Sequence, residues 1–473
     1  MMNEPGQEPA RLLSVQRAAF EKDRSPSRAA RVARLDRLLK LVDDHETEIA
    51  QAIDADFGGR SSHETRLAEL FVVRGGIRHA RAHVGRWMAP RRVPTALHFL
   101  PARNELLAQP LGVVGIVSPW NYPVLLSLGP ALAALAAGNR VVIKPSESTP
   151  AFADLLQRLV RTTFPEEELA VATGGADVGR AFVGLPFDHL FFTGSTAVGR
   201  QVAQAAAANL VPVTLELGGK SPAIVDASCD LDEAAPRLAY GKLLNAGQTC
   251  IAPDYVLVPE GRADALVDRL STAIARMYPT LAGNPDYTAI VSARHRARLV
   301  DLVADARSLG ARIVEVKPAG ESIAPDDRRL APTIVVGANR TMRVMQEEIF
   351  GPVLPIVEVR SLDDALAFVN AGERPLALYW FGRDATNRDR VLAQTHAGGV
   401  TINDCLWHMP QEHQPFGGIG ASGMGAYHGK WGFDTFSHRK PVFHQARFNG
   451  GFMLRPPYGA TFERLLGVLK RVT

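Results

Sequence analysis

The alternation of short apolar runs with helix-forming runs between residues 111 and 217 limits how this chain can fold more than any other feature. Residues 111–117, Leu-Gly-Val-Val-Gly-Ile-Val, form a continuous apolar run of the kind expected for a strand buried on both faces. Ser118-Pro119-Trp120-Asn121-Tyr122-Pro123 breaks it, residues 124–137 read as a helix, and residues 140–143 give a second strand closed by Lys144-Pro145-Ser146-Glu147-Ser148-Thr149-Pro150. Strand, loop, helix and strand at this spacing make a βαβ unit. Residues 164–171 lead into another strand, residues 188–192 give the next, and Thr193 to Gly199 turn into a helix over 200–209. A strand over 211–217 then delivers Glu216. The expected fold class is α/β with an open, doubly wound sheet, whose ligands bind at the carboxyl ends of the strands. Lys144, Glu147, Ser195 and Glu216 all fall there.

The chain of 473 residues is long enough for two or three domains with cores of their own. Its 53 basic and 49 acidic side chains leave a formal charge of +4 with no block of one sign, so nucleic acid is not an expected partner. The cysteines, Cys229, Cys250 and Cys405, are odd in number and contain no C-x-x-C pair, which points to a reducing, cytoplasmic compartment. Residues 1–11 hold Glu4 and Glu8 and no apolar stretch follows, so no secretory leader is expected. Residues 106–139 carry no charge, a run long enough to cross a bilayer. Pro110, Pro119, Asn121, Pro123 and Pro130 interrupt it, and a lone span would leave backbone groups unpaired in lipid. Buried soluble structure is expected, without a membrane span. Residues 8–90 look helical, with Leu35, Leu38, Leu39 and Val42 on one face and Arg37 and Lys40 on the other.

Two residues could form a base and nucleophile pair. Glu216 ends a β-like run, and Cys250 follows Asn245-Ala246-Gly247-Gln248-Thr249. Either alone is more simply a structural carboxylate and a small core thiol. The loop-forming neighbours Gly247, Gln248, Thr249, Ala252 and Pro253 instead place the sulfur on a turn facing a cleft. The one G-x-G-x-x-G, Gly418 to Gly423, has no strand before it and reads as a loop. Gly194 to Gly199 breaks that spacing but has strand, small-residue turn and helix N-terminus, a context suited to a pyrophosphate. His408 and His413 have no third partner and no H-E-x-x-H exists, so no metal site is expected. Cys229 and Cys405 read as small apolar filler.

Seven motifs stand in the order of the NAD(P)-dependent aldehyde dehydrogenase superfamily, which this chain resembles from about residue 100 to 440. They are Ser118 to Pro123, Lys144-Pro145-Ser146-Glu147, Phe192-Thr193-Gly194-Ser195, Glu216-Leu217-Gly218-Gly219-Lys220, Gly247-Gln248-Thr249-Cys250, Glu348-Ile349-Phe350-Gly351-Pro352 and Pro415-Phe416-Gly417-Gly418. The resemblance implies a Rossmann-type cofactor domain (residues 1–91 and 111–216), an α/β catalytic domain (217–415), small oligomerisation segments (92–110 and 436–446) that pair a homodimer, and a C-terminal tail (447–473). It implies Cys250 as nucleophile, Asn121 as oxyanion donor and Glu216 as general base, with a thiohemiacetal and then a thioester on the sulfur. Trp120, Lys144, Glu147, Gly194, Ser195, Gly199, Glu348 and Phe350 are implied in cofactor binding. Glu147 beside a ribose would favour NAD, NADP being possible. Glu216 further implies water as the acyl acceptor, since relatives using coenzyme A or phosphate generally lack it.

Residues 247–255 and 422–430 are similar to the shorter branch with the fatty and aromatic aldehyde dehydrogenases. An aromatic, cinnamyl aldehyde such as coniferyl aldehyde is the expected substrate, with a medium or long aliphatic aldehyde as the alternative. By resemblance Asp404, Cys405, Trp407, His408 and Met409 edge the aldehyde tunnel. Phe462, Leu465, Leu466 and Leu469 have helical spacing, and this tail is expected to pack on its own body. A catalytically silent nucleotide-binding relative and a cysteine hydrolase are the rival readings. The intact set Asn121, Glu216, Cys250 and Glu348 argues against the first; the lack of a marked histidine partner argues against the second.

Overall fold

The computed structural model describes residues 6–324 and 326–472; residues 1–5, including the Glu4 that bears on a leader, lie outside the described residues. The alternating region forms a six-stranded sheet in the order Gly423–Met424, Val213–Glu216, His189–Thr193, Val113–Val117, Arg140–Lys144, Leu169–Val171. Every pairing is parallel except that of the short Gly423–Met424 strand. Chain order runs outward in both directions from Val113–Val117, so the connections reverse between that strand and His189–Thr193. This is the switch point at which a doubly wound sheet opens a crevice. The loops leaving these two strands carry Trp120 and Asn121 on one side and Gly194 and Ser195 on the other.

A second sheet of seven strands follows, in the order Arg312–Glu315, Thr333–Val336, Val353–Val359, Tyr255–Pro259, Pro222–Val225, Ala377–Phe381, Gly399–Ile402. Only Arg312–Glu315 runs antiparallel. A third, three-stranded antiparallel sheet joins Arg91–Val93, Arg103–Pro110 and Ser437–His444.

The uncharged stretch is accounted for by the helix Pro123–Ala137, of which every residue is buried. Wrapped by the N-terminal helices and backed by the first sheet, it has no face to give to water. Among the described residues no helix is long and apolar enough to cross a membrane. The amphipathic segment near residue 38 is the helix Arg28–Asp44, with Leu35, Leu38 and Val42 at 0% exposure and the Ser27 hydroxyl accepting from the Ala30 N–H at its start.

One helix boundary is corrected. The helix expected from residue 200 is Thr196–Ala207, because Ser195 caps it and accepts from the Val198 N–H. Gly199 therefore lies inside the helix, where a Cβ would stand 2.6 Å from Leu217 Cδ2. Its role is a close approach of helix to strand end rather than a turn. The tail forms the helix Ala460–Val472, in which Phe462, Leu465, Leu466 and Leu469 are half-buried and their described neighbours in the helix exposed. The exposed run Arg455 to Gly459, with Pro456 and Pro457, precedes it.

Candidate active site

Cys250 follows a turn of unusual backbone. Asn245, Ala246 and Gly247 have φ of 55°, 51° and 74°, three successive residues in the left-handed region. For the first two this is unfavourable and persists only when the surroundings fix it. The turn brings the N–H groups of Cys250 and Ile251 onto the Cys250 sulfur. The thiol lies at a cavity of about 110 Å³ walled by Leu67, Phe71, Tyr122, Leu244, Trp407 and Met409, among other apolar groups. The Tyr122 hydroxyl is tied to Thr249 Oγ1 at 2.6 Å, so the lining offers a ligand little free polarity.

Asn121 comes to the same place from the first sheet. Its side-chain Nδ2 donates to the Gln248 carbonyl at 3.1 Å, two residues before Cys250. An amide nitrogen carries two hydrogens, so one remains for another acceptor. Glu216 arrives at the end of Val213–Glu216, 3% exposed, with neither carboxylate oxygen hydrogen-bonded. Burial holds its pKa well above the ordinary range. Glu348 is half-buried, and its enclosed Oε1 has no partner. It lies against Gly218, where a Cβ would be 2.1 Å from Oε2. Burial, then Asp254, push Glu348 up to about 8. The Cys250 thiol is pushed up to about 12 by burial, with Glu348 and Glu216 adding to the effect. Both carboxylates therefore act electrostatically on the sulfur, across some hundred residues of sequence in one case and thirty-four in the other.

The remaining candidates line the crevice. Lys144 is buried and pairs with the half-exposed Glu147 at 2.9 Å. Gly194 leads into the Ser195 cap; a Cβ there would be 2.6 Å from the Phe192 ring. The Trp120 indole stands 5.4 Å from the Phe350 ring and 5.1 Å from His295. Phe350 itself has φ of 54°. The Gly418–Gly423 loop does not cradle a helix: Gly423 pairs with Glu216 and the Leu217 N–H donates to the Ser422 carbonyl.

Of the expected tunnel residues only Trp407 and Met409 face the cavity, joined by Leu406. Leu406 has φ of 69°. Cys405 is buried against Gly241, His408 Nδ1 bonds Thr401 Oγ1 at 2.8 Å, and Asp404 takes the Cys405 N–H. Sequence reasoning did not single out Leu67, Phe71 or Tyr240, which also wall the cavity. They lie on helices whose apolar spacing looks like that of any core helix.

The aldehyde dehydrogenase family model matches residues 8–442. The chain belongs to the aldehyde dehydrogenase family. It is 47% identical to the coniferyl aldehyde dehydrogenase of a Pseudomonas species, over 93% of this chain and 91% of that protein. It superposes on the substrate-bound state of Staphylococcus aureus AldH with a TM-score of 0.91 at 39% identity, covering 97% and 99% of the two chains. A Mycobacterium tuberculosis aldehyde dehydrogenase complexed with NAD+ gives 0.82 at 28% identity, covering 91% and 88%. The chain is thus an aldehyde dehydrogenase.

Glu348 sets an expectation for this enzyme. Its folded pKa near 8 lies above the ordinary carboxylate value of 4.5, so between those values the native state holds the extra proton and stability falls as pH rises. The expected slope from this group is on the order of 1 kcal/mol per pH unit. Glu348→Gln should remove it: melting temperatures measured from pH 5 to 8 should converge on the wild type at the acid end and exceed it at the alkaline end. A constant offset would show that Glu348 stays ionised.

Proposed function

We infer that the protein oxidises an aromatic, cinnamyl-type aldehyde, such as coniferyl aldehyde, to its carboxylic acid with NAD. The observation that carries this is the Cys250 thiol on an apolar cavity, in the field of Glu348 and of Glu216, whose carboxylate has no hydrogen-bond partner, and near the Asn121 amide, which bonds the Gln248 carbonyl. In this reading the Cys250 sulfur adds to the aldehyde carbon, giving a thiohemiacetal whose oxyanion takes the free Asn121 amide hydrogen and the Cys250 N–H. Glu216 accepts a proton from water, which then cleaves the thioester to the acid and restores the thiol. Its raised pKa makes it a stronger base than an exposed carboxylate.

The residues present fit a nicotinamide dinucleotide. Glu348 Oε1 is a buried acceptor waiting for a donor such as a ribose hydroxyl. Ser195 with Gly194 and Gly199 opens a helix N-terminus suited to a pyrophosphate, Trp120 and Phe350 flank the crevice, and Lys144 with Glu147 would meet the second ribose. When bound, the cofactor accepts the hydride. A carboxylate at Glu147 disfavours a 2′-phosphate, hence NAD over NADP.

In the same reading residues 1–91 and 111–216 bind the cofactor, 217–415 form the catalytic domain, and 92–110 with 436–446 pair two copies. The exposed Leu97, Phe99, Leu100 and Phe443 beside the three-stranded sheet support a partner there. The unpaired cysteines support a cytoplasmic setting. The apolar lining equally favours a second substrate reading, a medium or long-chain aliphatic aldehyde. Rates of NADH formation from coniferyl aldehyde, benzaldehyde, hexanal and decanal separate the two. A kcat/KM highest for coniferyl aldehyde and higher with NAD than NADP is expected; a preference for decanal would replace the aromatic reading.

A further inference from the structure

Behind the catalytic turn lies a charged cluster that the reaction does not itself use. Arg60 and Glu69 are both 0% exposed at their side chains, with Nη2 and Oε1 3.2 Å apart. Arg60 Nη1 donates to the main-chain carbonyl of Asn121 at 2.6 Å, and its guanidinium lies 5.0 Å from the Tyr122 ring. Glu69 Oε2 accepts the N–H groups of Val124 and Leu125, at 2.7 and 3.1 Å, fixing the helix that follows Asn121. The Asn121 carbonyl takes a second bond, from Asn245 Nδ2 at 2.9 Å. That same Nδ2 donates to the Gln248 carbonyl at 3.2 Å, the oxygen that also receives the Asn121 side chain. Asn245 in turn is held at its N–H by Glu64, at 3.1 Å to Oε2, which also accepts from Thr288.

One side-chain nitrogen, Asn245 Nδ2, therefore bridges the loop bearing Asn121 and the turn bearing Cys250, and Arg60 grips the first of these from the far side. Buried charges are costly unless they are paired and hydrogen-bonded. A turn with two non-glycine residues at positive φ also needs external restraint. The cluster supplies that restraint where the two loops meet. Apolar side chains could have filled the same volume, but none could fix both loops relative to each other by directional bonds.

The geometry points to Asn245 and Arg60 as positioning residues that set the distance and angle between the Asn121 amide and Cys250. This rests on the roles given to Asn121 and Cys250 above. Neither touches the reacting atoms, so their effect passes through Asn121. Reacting groups displaced by about 1 Å lose on the order of a hundredfold in rate, and that sets the expected effect.

The test uses full-length Asn245→Asp, isosteric but without the Nδ2 donor, and Arg60→Lys, which keeps the cation and loses the fork. Active sites are counted by stoichiometric alkylation of Cys250, and kcat is expressed per alkylated thiol. The expected result is a kcat lower by about 100-fold for Asn245→Asp and about tenfold for Arg60→Lys, with KM for NAD unchanged. A purely structural role would lower the number of alkylated sites and leave turnover per site at the wild-type level, which would overturn the inference. A cycle with Asn121→Ala adds a second readout. If Asn245 acts through Asn121, the double variant is no slower than Asn121→Ala alone; multiplying effects would sink the proposal. Should Asn245→Asp not fold, Arg60→Lys in the same cycle decides. Asn121→Ala or Cys250→Ala with wild-type turnover would refute the underlying site assignment instead, and so is distinguishable.

Discussion

Cys250→Ala is expected to abolish aldehyde oxidation, lowering kcat by on the order of a millionfold, as removal of a nucleophile does in other covalent enzymes. The thiol is the strongest nucleophile of the described cavity lining, where Tyr122 and Thr249 bond each other and neither Glu216 nor Glu348 is a lining residue. Folding should survive. The Cys250 side chain is half-buried at the cavity wall, and replacing SH by hydrogen there takes away little packing. Tyrosine fluorescence or circular dichroism melting would show a midpoint close to the wild type, and iodoacetamide would label only the slower Cys229 and Cys405, which are buried. The wild-type thiol, pushed up to about 12 in the free protein, should react faster with iodoacetamide as pH rises toward that value. Wild-type NADH production by Cys250→Ala would end the thiol reading altogether.

Glu216→Gln should separate the two halves of the reaction. Acylation needs the thiol and the oxyanion donors; hydrolysis also needs a base for water. The variant is expected to form about one equivalent of NADH per site in a burst and then to turn over slower than the wild type by 10²–10⁴, roughly the worth of one positioned base. The intact mass of the stalled protein should rise by the acyl group. Glutamine keeps the shape of a side chain that makes no hydrogen bonds through its carboxylate, so the fold is expected to hold. For the wild type, hydrolysis should accelerate as pH rises above the ordinary carboxylate range, because the buried Glu216 must ionise to accept a proton and burial raises its pKa. The variant's slow phase should lack this rise. Equal bursts and steady rates in variant and wild type would remove Glu216 from the hydrolytic step.

The alternating runs from 111 to 217 determined the first sheet, because a parallel strand buried on both faces must be apolar throughout and its crossover must be helical. They also placed Lys144, Ser195 and Glu216 at strand ends, where periodicity and turn chemistry are local. The loop character of Gly247 to Thr249 marked Cys250 in the same way. Tertiary structure alone decided what these residues meet. Asn121 reaches the Gln248 carbonyl across 127 positions and Arg60 reaches Asn121 across 61, and no local pattern in the sequence encodes either approach. Arg60, Glu64 and Glu69 stand in a helical region rich in charge, where a buried carboxylate is indistinguishable in sequence from a solvated one. Tertiary contacts likewise hold Cys405 against Gly241 and His408 against Thr401, off the cavity that Leu406, Trp407 and Met409 line. Local propensity fixes which elements form; burial, and hence the raised pKa of Glu216, Glu348 and Cys250, arises only when distant segments exclude water together.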